Sequence, residues 1–176
     1  MSLLGRIAQD APLGVAITDR PEELAAFRAP GCAAAIWRRP PDQRLSVWLD
    51  RVDPDRLPNG RATLHRRAVR AALTEMCARA QTPRRPELAL LIDDATALAG
   101  VFADLMGARH LSLRLQAIAT NTCARFHVDA MTARLVCAYR GTGTQYGISI
   151  DGTAPERILT VPTGSPILLR GSLWPE

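Results

Sequence analysis

"CARFHVDAMTARLVCAYRGTGTQY" (residues 123–146) holds one of only three histidines in the chain, in a His-x-Asp triplet ahead of an apolar run. In an extended strand, residues two apart point to one face. Cys123, Arg125, His127 and Asp129 would then share one side, with Phe126 and Val128 turned to the core. His127 and Asp129 would stand about 6–7 Å apart at the backbone, within reach of a single ion. Imidazole with carboxylate suits non-haem Fe(II) and also zinc. An ordinary ion-paired histidine is the competing reading, and the triplet alone leaves both open.

Around this stretch the hydrophobic period changes. From residue 110 onward it is close to two: "LSLRLQAIAT" alternates Leu111, Leu113, Leu115 and Ala117 against Ser112, Arg114 and Gln116. "RFHVD", "RLVCAY", "YGISID", "RILTVP" and "SPILLRGSLW" follow at short intervals between Gly, Thr and Pro turns. The glycines of "GTGT" (141–144) suit a β-turn; no P-loop lysine follows, which argues against phosphate binding there.

The first half mixes short strands and helices. "GVAIT" (14–18) and "CAAAIW" (32–37) read as strands, and Asp19 as the N-cap of a helix over "RPEELAAFR". "PDQRLSVWLDRV" (41–52) places Leu45, Trp48, Leu49 and Val52 at helical spacing. A helix is expected over about residues 63–80, with Leu64, Ala68, Ala72 and Met76 on one face and His65 a solvated residue beside it. "LALLI" (88–92) reads as a buried strand, and Asp93 or Asp94 as the cap of a helix stopped by Gly107.

These elements predict one domain over residues 1–176 of α+β class. An N-terminal α/β helical layer (1–109) would pack on a β-rich, jelly-roll sheet (110–176).

Composition narrows the functional classes. The hydrophobic fraction of 47% can fill a core, and no apolar run reaches the length of a membrane span. With no secretory leader pattern at its N-terminus, a cytoplasmic location is expected. The net charge is +5, and all 22 basic residues are arginine. They lie scattered, in "WRRPPDQR", "LHRRAVR" and "TPRRPE", and aromatics are only 5%, which argues against a nucleic-acid partner. Cys32, Cys77, Cys123 and Cys137 form no CxxC pair. They read as small buried hydrophobes, with Cys123 the exception held open as a ligand.

The wider run resembles the bacterial domain-of-unknown-function family 1826. The resemblance rests on a Cys-x-x-Phe-His-x-Asp segment, then Arg-Leu, then Tyr-x-Gly-x-Gly-Thr. Here these are Cys123, Phe126, His127, Asp129, Arg134, Leu135, Tyr139, Gly141, Gly143 and Thr144, followed by "SPILLRGSLWPE". It implies a link to metal homeostasis. The β half is also similar to the double-stranded β-helix of Fe(II)/2-oxoglutarate oxygenases, a cupin-like architecture in which His-x-Asp supplies two ligands and a later histidine the third. No histidine follows His127 in this sequence, so Cys123 or His110 is the candidate third ligand. Arg125, Arg134 and Tyr139 are the candidates for holding 2-oxoglutarate.

Three functions follow as expectations: an Fe(II)/2-oxoglutarate hydroxylase of unknown small-molecule or protein substrate, a non-catalytic Zn(II)-binding accessory protein, and a metal-free interaction domain. A homodimer is compatible with each. Trp174 would close the core or the mouth of the sheet.

Overall fold

The computed structural model describes residues 14–118, 126–149 and 152–175. It shows a mixed α/β chain that divides into two compact units. One is drawn from residues 1–41 and 123–176, and the other is the intervening stretch 42–122.

The first unit is built on a four-stranded sheet, in spatial order β1 (Val15–Thr18), β2 (Ala34–Trp37), β8 (Pro166–Arg170) and β5 (Ala133–Cys137). Strands β1 and β2 run parallel. Strand β8 is antiparallel to β2 and to β5. One face collects Val15, Ala34, Ile36 and Ile167 under Val161, with Ile17, Val136, Tyr146 and Leu169 around them. Leu24 and Phe27, from a 3-10 helix over Pro21–Arg28, are fully buried, as is Leu168. Each such side chain contributes about 1.5–3 kcal/mol by leaving water. A short ladder of β6 (Gln145–Gly147) and β7 (Ile158–Thr160) completes the unit. Among the described residues the strands form no closed barrel.

The second unit packs three helices on the antiparallel pair β3 (Gly60–His65) and β4 (His110–Leu115). Helix α1 (Gln43–Arg51) begins at Asp42, whose side chain accepts from the Leu45 amide at 3.0 Å, and buries Leu45 and Leu49 as its spacing requires. Helix α2 (Val69–Arg79) and helix α3 (Pro86–Met106) enclose Val69, Leu73, Cys77, Ile92 and Ala103 with Leu111. Gly107 ends α3 at φ +60°, in the left-handed region where glycine carries no Cβ penalty. No helix among the described residues is long and apolar enough to cross a membrane.

Several expectations are corrected. "LALLI" is helical: a short apolar run carries no period of its own, and Pro86 at the first helical position followed by "DDATALAG" carries the helix through it. Asp93 and Asp94 therefore lie inside α3, and Asp93 pairs with Arg70 at 2.7 Å. Residues 60–65 are a strand, because Leu64 lies opposite Leu111 in the ladder and packs on the same core. Helix α2 begins only at Val69, and its buried face is Val69, Leu73, Met76 and Cys77. Asp19 caps no helix; its carboxylate takes two bonds from Arg38, each 3.0 Å. Strand β4 pairs with β3 in the second unit rather than with the later strands.

Candidate functional site

The His-x-Asp segment lies ahead of β5, and its position is set by the turn that follows β8. The Asp129 carbonyl accepts from the Met131 amide at 2.9 Å and the Ser172 amide at 3.0 Å. Gly171 donates to the Thr132 carbonyl, and Leu173 to the Met131 carbonyl. A Cβ on Gly171 would fall 1.9 Å from the Met131 oxygen, so only glycine permits this approach.

Residues 126–129 belong to no strand, contrary to the sequence reading. Phe126 and Val128 are not core residues but are 46% and 69% exposed. With main-chain bonds drawing Asp129 to the 171–173 turn, the segment follows that turn and not a ladder partner.

The irregular backbone nonetheless brings the two side chains together. His127 Nε2 lies 3.3 Å from Asp129 Oδ1, and Arg134 Nη1 lies 2.9 Å from Asp129 Oδ2. The carboxylate is thus shared: one oxygen faces the imidazole, and the other is held by a guanidinium rising from β5. The side chain of Asp129 is 22% exposed and that of His127 52%, so the pair opens to solvent through the histidine.

A separation of 3.3 Å is just longer than a usual N–H···O hydrogen bond of about 2.7–3.2 Å. Two neighbouring ligands, each about 2.1 Å from one ion and at right angles, would stand about 3.0 Å apart. The pair is a direct salt-bridge contact whose separation is about 0.3 Å wider than that ligand edge. Among the described residues, no three His, Cys, Asp or Glu side chains gather at a metal-binding distance.

The remaining candidates separate clearly. Arg134 is committed to Asp129. Tyr139 is half-buried beyond β5. Cys123 and Arg125 lie outside the described residues. His110 sits in β4, its ring edge-on to His65 at 5.3 Å. The "GTGT" turn is structural: a Cβ on Gly143 would strike the Val161 carbonyl, and Thr163 Oγ1 donates to the Gly141 carbonyl at 2.6 Å. Cys32 and Cys77 are buried, and burial pushes both thiols up.

The sequence reading missed Arg170. Its Nη2 donates to the Phe27 carbonyl at 2.6 Å and the Ala29 carbonyl at 2.8 Å, and its guanidinium lies 4.4 Å from the Trp174 ring centre. Trp174 meets Phe27 edge-on at 5.0 Å. This joint fixes the turn that positions Asp129. An arginine and an aromatic spaced around Gly171 in "RGSLW" were the available signal.

The chain belongs to the family described as "Protein of unknown function (DUF1826)", whose sequence profile matches residues 18–176. No curated protein and no solved structure matches it.

Proposed function

We propose that this protein holds a single divalent metal ion through His127 and Asp129, and that the ion is Fe(II) in an oxygenase of the 2-oxoglutarate kind. The observation that carries the reading is the 3.3 Å approach of imidazole nitrogen and carboxylate oxygen, with the second oxygen fixed by Arg134. Two further features support it. The pair leads directly into β5, which is held in the sheet by its antiparallel ladder with β8. The imidazole–carboxylate donor set also suits Fe(II) with open coordination positions.

His127 would donate the neutral imidazole nitrogen, and Asp129 one charged oxygen. Arg134 acts by position: it holds the carboxylate and keeps one oxygen turned to His127. Cys123 is the nominated third ligand. Because Arg134 is engaged with Asp129, Arg125 is the better candidate for the 2-oxoglutarate carboxylate, with Tyr139 as the further candidate. Bound there, Fe(II) and 2-oxoglutarate would supply the O₂-dependent oxidation of a substrate.

A second reading, an accessory protein that carries Zn(II) in metal homeostasis, is favoured by the half-exposed His127 and its exposed neighbours Phe126 and Val128. An ion at such a site exchanges readily with solvent, as a metal carrier requires, whereas oxygenase chemistry profits from excluding water.

Anaerobic Fe(II) and Zn(II) titrations of the parent chain, His127→Ala, Cys123→Ala and Arg134→Ala separate these. One-to-one binding abolished in His127→Ala and weakened about 10–100-fold in Arg134→Ala supports the site, since partners that orient a ligand contribute on that scale. Iron binding indifferent to Cys123 favours the oxygenase; zinc preference with Cys123 dependence favours the accessory protein. Absence of binding in the parent chain overturns both.

A further inference from the structure

Strands β3 and β4 pair residue for residue from Gly60↔Leu115 to His65↔His110, so alternate side chains fall on opposite faces. Leu64, Leu111, Leu113 and Leu115 turn to the helices and the core. The other face carries three cross-strand rows: Arg61 beside Arg114, Thr63 beside Ser112, and His65 beside His110. Five of the six are exposed, and His65 is half-buried. Arg67 and Arg109 adjoin the histidine row; the Arg67 amide donates to His65 Nδ1 at 3.2 Å.

The strip concentrates positive charge in two ways. Like charges directly opposite in a ladder destabilise it, and the Arg61–Arg114 row is such a pair. Elsewhere in the same unit four arginines are matched by carboxylates, Arg44 by Glu87, Arg66 by Asp104, Arg70 by Asp93 and Arg79 by Glu75, whereas Arg51, Arg84 and Arg85 are not. Among the described residues Arg61, Arg67, Arg109 and Arg114 have no such partner. The charges acting on His65 are likewise all positive: besides burial, His110, Arg67, Arg109 and Arg66 push its imidazole down.

We infer that the β3–β4 face is a docking strip for the phosphate backbone of a single-stranded nucleic acid, read by Arg61, Arg114, Arg67 and Arg109 with the hydroxyls of Thr63 and Ser112. The rows repeat every two residues, about 6.8 Å, a step close to that between successive phosphates in an extended strand. Guanidinium and hydroxyl groups are the usual donors to phosphate oxygens, and the imidazoles of the last row can stack on a base. No large apolar side chain stands in the three rows, which distinguishes the strip from a membrane-binding surface. The arginines are scattered in sequence, and the antiparallel register sets Arg61 beside Arg114.

The test is fluorescence anisotropy with labelled single-stranded RNA and DNA of mixed sequence across a salt series. The parent chain is expected to bind in a strongly salt-dependent way. Arg61→Ala/Arg114→Ala should weaken binding at least tenfold at low salt and flatten the log–log salt slope by about 1.4, at about 0.7 for each phosphate no longer neutralised. Arg114→Glu should also abolish binding while keeping or raising the melting temperature, because it replaces a repulsive row with an attractive one. Arg84→Ala/Arg85→Ala, off the ladder, should bind as the parent does. Unchanged affinity in the ladder variants, no binding by the parent at low salt, or equal displacement by poly-glutamate would overturn the assignment.

Discussion

Gly171 and Asp129 are in main-chain contact so close that a Cβ on the glycine would lie 2.7 Å from the aspartate carbonyl oxygen. The position of the candidate ligand therefore depends on a residue 42 positions later that has no side chain. Gly171→Ala is expected to push the 129–132 segment away and cost about 1–3 kcal/mol, the usual range for overpacking. Thermal unfolding would show the destabilisation, and metal affinity should fall with it; an alanine variant with the parent's melting temperature would contradict the contact.

Arg170 joins elements far apart in sequence, reaching the Phe27 carbonyl across 143 residues. Arg170→Lys keeps the charge but removes the Nη2 group that donates to both carbonyls and the flat face that rests on Trp174. Removing one hydrogen bond from a charged donor costs about 1.5–3 kcal/mol, and the lysine variant should be destabilised by that amount. Urea unfolding measures it, and a parent-like midpoint would show that the joint contributes little.

His65 carries a pH prediction of definite sign. Burial first, and then His110 and the neighbouring arginines, hold its imidazole below the ordinary value of 6.5. A folded value below the unfolded one means that the unfolded chain binds more protons in the interval between them. His65 therefore contributes stability that is present above pH 6.5 and is lost as pH falls through its folded value. An NMR titration of the ring should place its midpoint below 6.5, and His65→Gln should remove this component of the acid sensitivity; a midpoint above 6.5 would mean that a carboxylate faces the ring.

Much of the fold was legible where period and punctuation agree. Asp42 before Leu45 and Leu49 marks α1, Gly107 stops α3, and the alternation of residues 111–115 gives β4. The failures have local causes. "LALLI" is short and uniformly apolar, so its helical state depends on Pro86 before it and the helix-forming residues after it. Leu64 fits a helical stripe with Ala68, yet pairing with Leu111 holds it in a strand. At the site, the His-x-Asp pairing was visible but its geometry was not. Strand alternation put Phe126 and Val128 inside, whereas the bonds to Ser172 and Leu173 that shape the segment come from residues more than forty positions away. Arg134 read as a cosubstrate candidate, and its contact with Asp129 is one that a sequence does not show.

The discontinuous first unit orders events on the ribosome. Strands β1 and β2 emerge early, but the Ala34–Leu169 register that closes one edge of β2 awaits β8, after the whole of the second unit has been made. Until then the buried Ile36 and Ala35 have no antiparallel neighbour to cover them. The inserted unit, whose β3–β4 ladder is internal to it, can condense first, and the sheet that leads from His127 and Asp129 closes last.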